Sequence, residues 1–341
     1  MKPKIGVRPQ FSRLRRRLLL GTTAAAFSGA GWAAKVRYPV VRPERKLVFP
    51  RDHGAHPEYR VEWWYVTGWL DEPYGFQITF FRARPEEETD NPSSFNPKQV
   101  LFAHAALSDP RRSRLVHDQR AARAGFSLAH AETDRTGVWI DDWSLVLEGT
   151  RYHARIAARD FDFDFSFLGS ELVLQGEAGF SRKGHRPEEA SYYYSRPQLD
   201  VVGKLNGKAI SGSAWLDHEW SSAYLAPEAV GWDWAGINFL NGNSLMGFRM
   251  RDKAGKTHYA PPGIFMKPLR MWKSPRTGVE YPVSMQLNDL RLEPLMDDQE
   301  LDSRMSTGTI YWEGAVRAFQ GTSQVGRGYL ELTGYWKPMK L

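Results

Sequence analysis

The chain of 341 residues contains no cysteine. No disulfide can brace it, no thiolate can act as nucleophile or metal ligand, and no cysteine can carry a lipid. It also lacks an apolar run long enough to cross a bilayer as a helix, which takes about 20 residues. The nearest approach is Leu18 to Phe27. Neither kind of phosphate-cradling glycine loop is present. Ser221 and Ser222 lie near His218 without the Gly-x-Ser-x-Gly elbow of a serine hydrolase. Helical periodicity is nearly missing as well, and only Arg111 to Ala124 has spacing that suggests a helix. No repeat of 20–50 residues recurs, which excludes a propeller or solenoid.

An excess of acid is lacking too, yet the net charge of +7 misleads. Residues 1–33 hold seven of the 46 Lys and Arg and no acid, leaving 39 basic against 39 acidic residues. A neutral body gives no electrostatic footprint for nucleic acid. The first 33 residues read as an export signal: Arg15-Arg16-Arg17, the apolar run from Leu18, and Gly31-Trp32-Ala33 as a small-x-small cleavage site. The arginines followed directly by Leu18-Leu19 fit a twin-arginine signal, so a periplasmic protein, soluble after cleavage near Ala33, is expected.

What the chain has in quantity is aromatic residues, 13% of the total with 13 Trp. Such side chains bury large areas while their polar atoms need partners, which suits half-wet cavities and barrel interiors. After a Pro- and Arg-rich lead-in at 35–52, runs of alternating apolar and polar residues recur about every ten residues, among them Tyr59 to Leu70, Gly75 to Ala83, Val100 to Ser108 and Gly328 to Tyr335. Gly, Pro, Asn and Asp punctuate them, and Asn206-Gly207 and Asn241-Gly242 mark tight hairpins. Phe161 to Phe167 alternates strictly, phenylalanine on one face and polar residues on the other, as a half-buried strand does. The pattern predicts an all-β fold of barrels or sandwiches. Ala226-Pro227-Glu228 divides it into residues 34–226 and 227–341.

The chemistry concentrates in Ser213-Ala214-Trp215-Leu216-Asp217-His218-Glu219-Trp220-Ser221-Ser222. On a strand, Trp215, Asp217 and Glu219 share one face and Leu216, His218 and Trp220 the other. Two carboxyls within roughly 7 Å on an apolar wall raise at least one pKa, which suits a proton donor. In the segment from His56 to Leu70, Arg60, Glu62 and Trp64 share a face, predicting an internal ion pair or a network tying strands together. Trp232-Asp233-Trp234 predicts aromatic lining. His53 and His56 lie in the lead-in without helical spacing, so no metal site is expected there.

These two segments, together with Gly326-Arg327-Gly328-Tyr329-Leu330-Glu331-Leu332-Thr333-Gly334-Tyr335, resemble the AttH-like and carotenoid 1,2-hydratase (hydroxyneurosporene synthase) family. The resemblance spans nearly all of the chain after residue 33. It implies two consecutive lipocalin-like antiparallel β-barrels with an apolar cavity. It further implies Asp217 as a candidate acid, two residues after an aromatic, with Glu219 and His218 beside it. Where carotenoid hydratases carry a His-x-Trp pair, this chain has Tyr192-Tyr193-Tyr194, of which Tyr192 and Tyr194 are expected to line the cavity with Trp215, Trp64, Glu62, Arg60, Trp232 and Trp234.

Two functions stand open. One is binding of an apolar or isoprenoid-like small molecule within a barrel, with hydratase- or isomerase-type acid catalysis by Asp217 and neither metal nor organic cofactor. The other is a non-catalytic carrier that hands a lipophilic ligand to an ABC-type membrane transporter. For Asp217, Glu219 and His218 a purely structural buried network is equally compatible with the sequence.

Overall fold

The computed structural model describes residues 34–71, 73–88 and 98–340. The export segment predicted at 1–33, and residues 89–97 of the polar loop predicted at 84–98, lie outside the described residues. Within them there is no α-helix, and the only helical elements are two 3-10 turns, Arg51–His53 and Pro110–Arg112. Among the described residues, no helix is long and apolar enough to cross a membrane.

Two large antiparallel sheets organise the molecule, as the alternating pattern predicts: a nearly closed barrel of 13 strands and a second, half-barrel sheet of nine. Five strands of the first matter for the site: β1 (Val61–Leu70), β2 (Gly75–Ala83), β3 (Val100–Ser108), β4 (Ala190–Leu205) and β5 (Lys208–Ser221). They lie in the spatial order β3-β2-β1-β5-β4. In the second sheet, β6 (Ala229–Phe239), β8 (Ser323–Leu332) and β7 (Ile310–Gln320) are adjacent in that order. The chain passes from one sheet to the other between Ser221 and Ala229.

Local chemistry accounts for the elements. β4 and β5 form a hairpin through Asn206 and Gly207, both left-handed (φ 51° and 75°), as a two-residue turn matching strand twist requires. In the strand Asp162–Leu168, Phe163, Phe165 and Phe167 are buried while Asp162 and Asp164 are exposed. The stretch from Arg111 to Ala124, whose spacing suggests a helix, instead contains the edge strand Val116–Arg123. Pairing with β3 overrides local periodicity there, and Arg120 and Arg123 give the open edge the charge that discourages further strand addition.

The inward residues of β1, β2 and β5 fill the first barrel, with Trp64, Val66, Phe76, Ile78, Phe80, Leu216 and Trp220 in one continuous core. The second sheet closes over its own core of Ile237, Val283, Met285, Leu292, Trp312 and Leu330. A third cluster forms where the outer faces meet: Tyr65, Trp69 and Trp215 of the first barrel pack against Trp232, Trp234, Phe248, Met250 and Tyr329 of the second. At roughly 1.5–3 kcal/mol per large apolar side chain, this contact holds the two barrels as one unit. Trp69 Nε1 donates to the Gly328 carbonyl (2.9 Å) and Asn238 Nδ2 to that of Ala214 (3.0 Å) across the seam.

Candidate active site between the two barrels

A cavity of about 600 Å³ opens beside that seam, within the range of small-molecule sites. One wall is the outer face of the first barrel, with Trp63 and Tyr65 of β1, Phe81 of β2, His104 of β3, Tyr193 of β4, and Asp217 and Glu219 of β5. The facing wall brings Trp232, Trp234, Tyr311 and Glu331 from the second sheet. The expectation of a pocket inside a barrel is thus corrected. The first barrel is filled by large rings, and the open space lies between two outer faces whose apolar residues would otherwise meet water.

Asp217 is 3% exposed. Its Oδ1 accepts from Trp215 Nε1 (2.6 Å) and Ser195 Oγ (2.5 Å), and its Oδ2 from the Tyr193 hydroxyl (2.7 Å). The Tyr193 oxygen in turn accepts from Trp234 Nε1 (3.0 Å), which ties the carboxyl to the opposite wall. Burial pushes Asp217 up to about 7; the three neutral donors oppose the shift without cancelling it, and nearby Glu219 adds to it. A carboxyl at that value keeps a large fraction of its protons at neutral pH.

Glu219 points the same way but is engaged. Its Oε1 meets Lys183 Nζ at 2.6 Å and accepts from Ser191 Oγ. Lys183 is itself buried, its ammonium 4.0 Å from the Phe248 ring centroid and 4.8 Å from that of Tyr193. Burial raises Glu219 against the pull of Lys183, and lowers Lys183 against the pull of Glu219. From the second sheet, Glu331 accepts from Trp232 Nε1 (2.9 Å), and burial holds it up at about 7, with Asp217 and Glu219 adding to the rise.

His218, adjacent to both acids in sequence, faces into the first barrel. There Glu62 is fully buried and its carboxylate takes four bonds: from the His56 amide (2.8 Å), His56 Nδ1 (2.7 Å), His218 Nε2 (2.9 Å) and Arg82 Nε (2.8 Å). His218 Nδ1 and His53 Nδ1 both bond the Tyr194 hydroxyl, at 3.1 and 2.9 Å. Trp64 stacks on His218, and His56 on Trp220 at 3.7 Å between centroids. Donor atoms of His56, Glu62 and His218 lie within 4.8 Å of one another, as in a metal cluster. Yet all four lone-pair positions of Glu62 are already used, one by a guanidinium, which leaves nothing for a cation.

Of the residues predicted from sequence, Asp217, Glu219, Trp232, Trp234 and Glu62 lie along the cavity wall, although the Glu62 carboxylate belongs to the inner network. Trp215 supports Asp217 from the seam. Trp64, Tyr192, Tyr194 and His218 are in the barrel core instead, away from the cavity they were expected to line or border. The reason is parity. Tyr193 pairs with Glu219 and Tyr194 with His218 across β4 and β5, which puts Tyr193 alone of the three tyrosines on the cavity face. Arg60 pairs with Glu86 near the surface, and the internal ion pair is made by Arg82, the cross-strand partner of Glu62. Tyr193, Lys183, Tyr224 and Glu331 escape the sequence reading, although Glu331 stands within the third motif.

Fold and site together define a tandem lipocalin-like barrel protein with a carboxyl-bearing aromatic cavity between its barrels. The chain belongs to the AttH-like family, whose profile matches residues 40–335. It is similar to the crystal structure of an AttH protein from Nitrosomonas europaea, at 47% identity and TM-score 0.80, covering 88% of this chain and 100% of that one. It also shares its fold with kievitone hydratase from Nectria haematococca, at 13% identity and TM-score 0.57, covering 89% of this chain and 98% of that one. Comparison with curated proteins returns no match.

Proposed function

We propose that this protein binds an apolar, isoprenoid-like molecule between its barrels and hydrates or isomerises a double bond in it, with Asp217 as the acid. The observation that carries this reading is a nearly water-free carboxyl poised near neutrality on an aromatic wall. Protonation of an alkene needs an acid present at working pH, and a surface that tolerates the cation formed. Asp217 gives its proton to one alkene carbon, the π electrons form the new C–H bond, and a tertiary cation is left. Indole and phenol faces of Trp63, Tyr65, Trp232 and Trp234 stabilise that cation by about 1–2 kcal/mol each once water is excluded. Addition of water, one of whose protons passes to a second carboxylate of the cavity, yields the tertiary alcohol, whereas return of a carbon-bound proton to the Asp217 carboxylate yields an isomerised alkene. The kievitone hydratase likeness in fold supports a double-bond hydration on this scaffold. The basic segment and apolar run of residues 1–33 support export by a twin-arginine route, so the reaction belongs to the periplasm.

The test uses farnesol, a trisubstituted isoprenoid alkene, in water carrying a heavy oxygen isotope. The wild-type protein is expected to form a labelled tertiary alcohol. Asp217→Asn should reduce it at least about 100-fold while binding, read from tryptophan quenching, stays within a few-fold. Retained turnover in that variant would refute the assignment.

A further inference from the structure

We infer that Glu331, reaching the cavity from the second barrel, is the base that receives the proton of the adding water, with a neutral Glu313 as its neighbour across the sheet. The inference rests on the acid-catalysed reading of the cavity and completes its proton balance.

Glu331 occupies a defined place. Its cross-strand partner in β6 is Trp234 and its partner in β7 is Glu313, so the three side chains share the face turned toward the first barrel. Trp234 donates to Tyr193, and Tyr193 to Asp217, so the indole that is the strand neighbour of Glu331 is tied by hydrogen bonds to the acid of the other barrel. Trp232 Nε1 holds Glu331 Oε2 at 2.9 Å. Oε1 has no protein partner among the described residues, and Glu331 lines the open cavity. The other carboxyl facing the cavity, Glu219, is bound to Lys183 and Ser191 and has no comparable freedom.

Glu313 explains why Glu331 is the one to carry charge. It is 1% exposed, neither oxygen makes a hydrogen bond, and it stands directly opposite Glu331 with the hydroxyls of Tyr65 and Tyr311 as neighbours. Two opposed buried carboxyls cannot both ionise, and the more enclosed one keeps its proton. Burial, with Glu331 beside it, pushes Glu313 well above the carboxylate range. With Glu313 neutral, Glu331 is the member of the pair that ionises, held through Oε2 by Trp232 at the edge of the open cavity.

The step balances. Asp217 loses its proton to carbon, a water oxygen bonds to the cation, and the proton released by that oxygen goes to the Glu331 carboxylate. The cycle ends with Asp217 ionised and Glu331 protonated, and the proton returns through solvent in the cavity before the next turnover. In the reverse dehydration the two residues exchange roles.

Farnesol in deuterated water separates the roles. In the wild-type protein, alcohol should dominate over deuterium-labelled isomerised alkene. Glu331→Gln should keep protonation at carbon but lose the water base, so alcohol falls at least about 100-fold while labelled isomer persists. Asp217→Asn should lose both products. Glu313→Gln, which replaces a neutral acid by a neutral amide, should leave the alcohol-to-isomer ratio within about threefold of wild type. An unchanged product ratio in Glu331→Gln would overturn the assignment, as would loss of alcohol in Glu313→Gln alone. Absence of both products in the wild-type protein would overturn the acid-catalysis reading, and this inference with it.

Discussion

Two buried acidic clusters lie back to back across one strand, and they have opposite characters. Inside the first barrel, Glu62 is held well below the carboxylate range: burial alone would raise it, but His56, Arg82 and the bond from His218 outweigh that cost. On the outer face of the adjacent β5, burial holds Asp217 at about 7, since the two hydroxyls and the indole that bond it include no cation to offset that cost. Equal burial therefore gives opposite protonation, and the charge of the partners decides which. A carboxylate with a guanidinium and a full set of donors is a structural joint. One with neutral donors only retains a proton it can give away.

The largest expected effect would break this contrast from the structural side. Glu62→Gln leaves Arg82 as an uncompensated buried cation and turns the oxygen that accepts from Arg82 Nε and the His56 amide into an NH2 donor facing donors, so unfolding in urea should show a loss of roughly 3–5 kcal/mol. Asp217→Asn removes no cation's partner and should cost under about 1.5 kcal/mol in the same assay. Equal losses in the two variants would mean that both clusters are structural.

How much of this could be read from the chain follows from the same strand. Strand alternation separates Asp217 from His218 before any coordinates exist, and the aromatic density announces a cavity. Which face meets the cavity is not contained in alternation, because both faces of β1 and β5 are buried, one by the barrel core and one by the second barrel. A sequence with one wet face would have revealed its orientation. Here Tyr192-Tyr193-Tyr194 offered no polar marker, and the pairing of β4 with β5 had to be seen to know that Tyr193 is the relevant ring. Lys183 and Glu331 were hidden for another reason, since they reach the site from elements far from β5 in sequence.

Acidity sharpens the comparison at a smaller scale. A carboxyl whose folded value lies near 7, against an ordinary 3.8, binds more protons in the folded state than in the unfolded one between those values. The stability it contributes is therefore present at low pH and is lost as pH rises toward 7. Replacing Asp217 by Asn removes this dependence, so the variant should gain on the wild type by roughly 2–3 kcal/mol between pH 5 and 7 in urea unfolding. Glu62 carries the opposite sign. Its contribution is present above the ordinary carboxylate pKa and is lost as pH falls through its depressed value, so no change in its contribution is expected between pH 5 and 7. An Asp217→Asn curve parallel to the wild type over that interval would show that Asp217 is ionised throughout and ill suited to donate.

The smallest effect comes from removing one oxygen from each of two neighbouring tyrosines. Tyr194 uses its hydroxyl to bridge His53 and His218, both depressed to about 4 by burial and therefore neutral at pH 7. Tyr194→Phe leaves two buried imidazole nitrogens without that partner and should lower stability by about 1–2 kcal/mol, with farnesol turnover essentially unchanged. Tyr193 uses its hydroxyl on Asp217 and Trp234, both bordering the cavity, so Tyr193→Phe should alter turnover and its pH profile more than stability. Losing a donor to the carboxylate disfavours the charged form, which moves the pH limit of the Asp217-dependent step upward. The two hydroxyls differ by one position in sequence and by which side of the sheet they serve, and a stability loss in one variant against a pH shift in the other would separate the joint from the acid at single-atom scale.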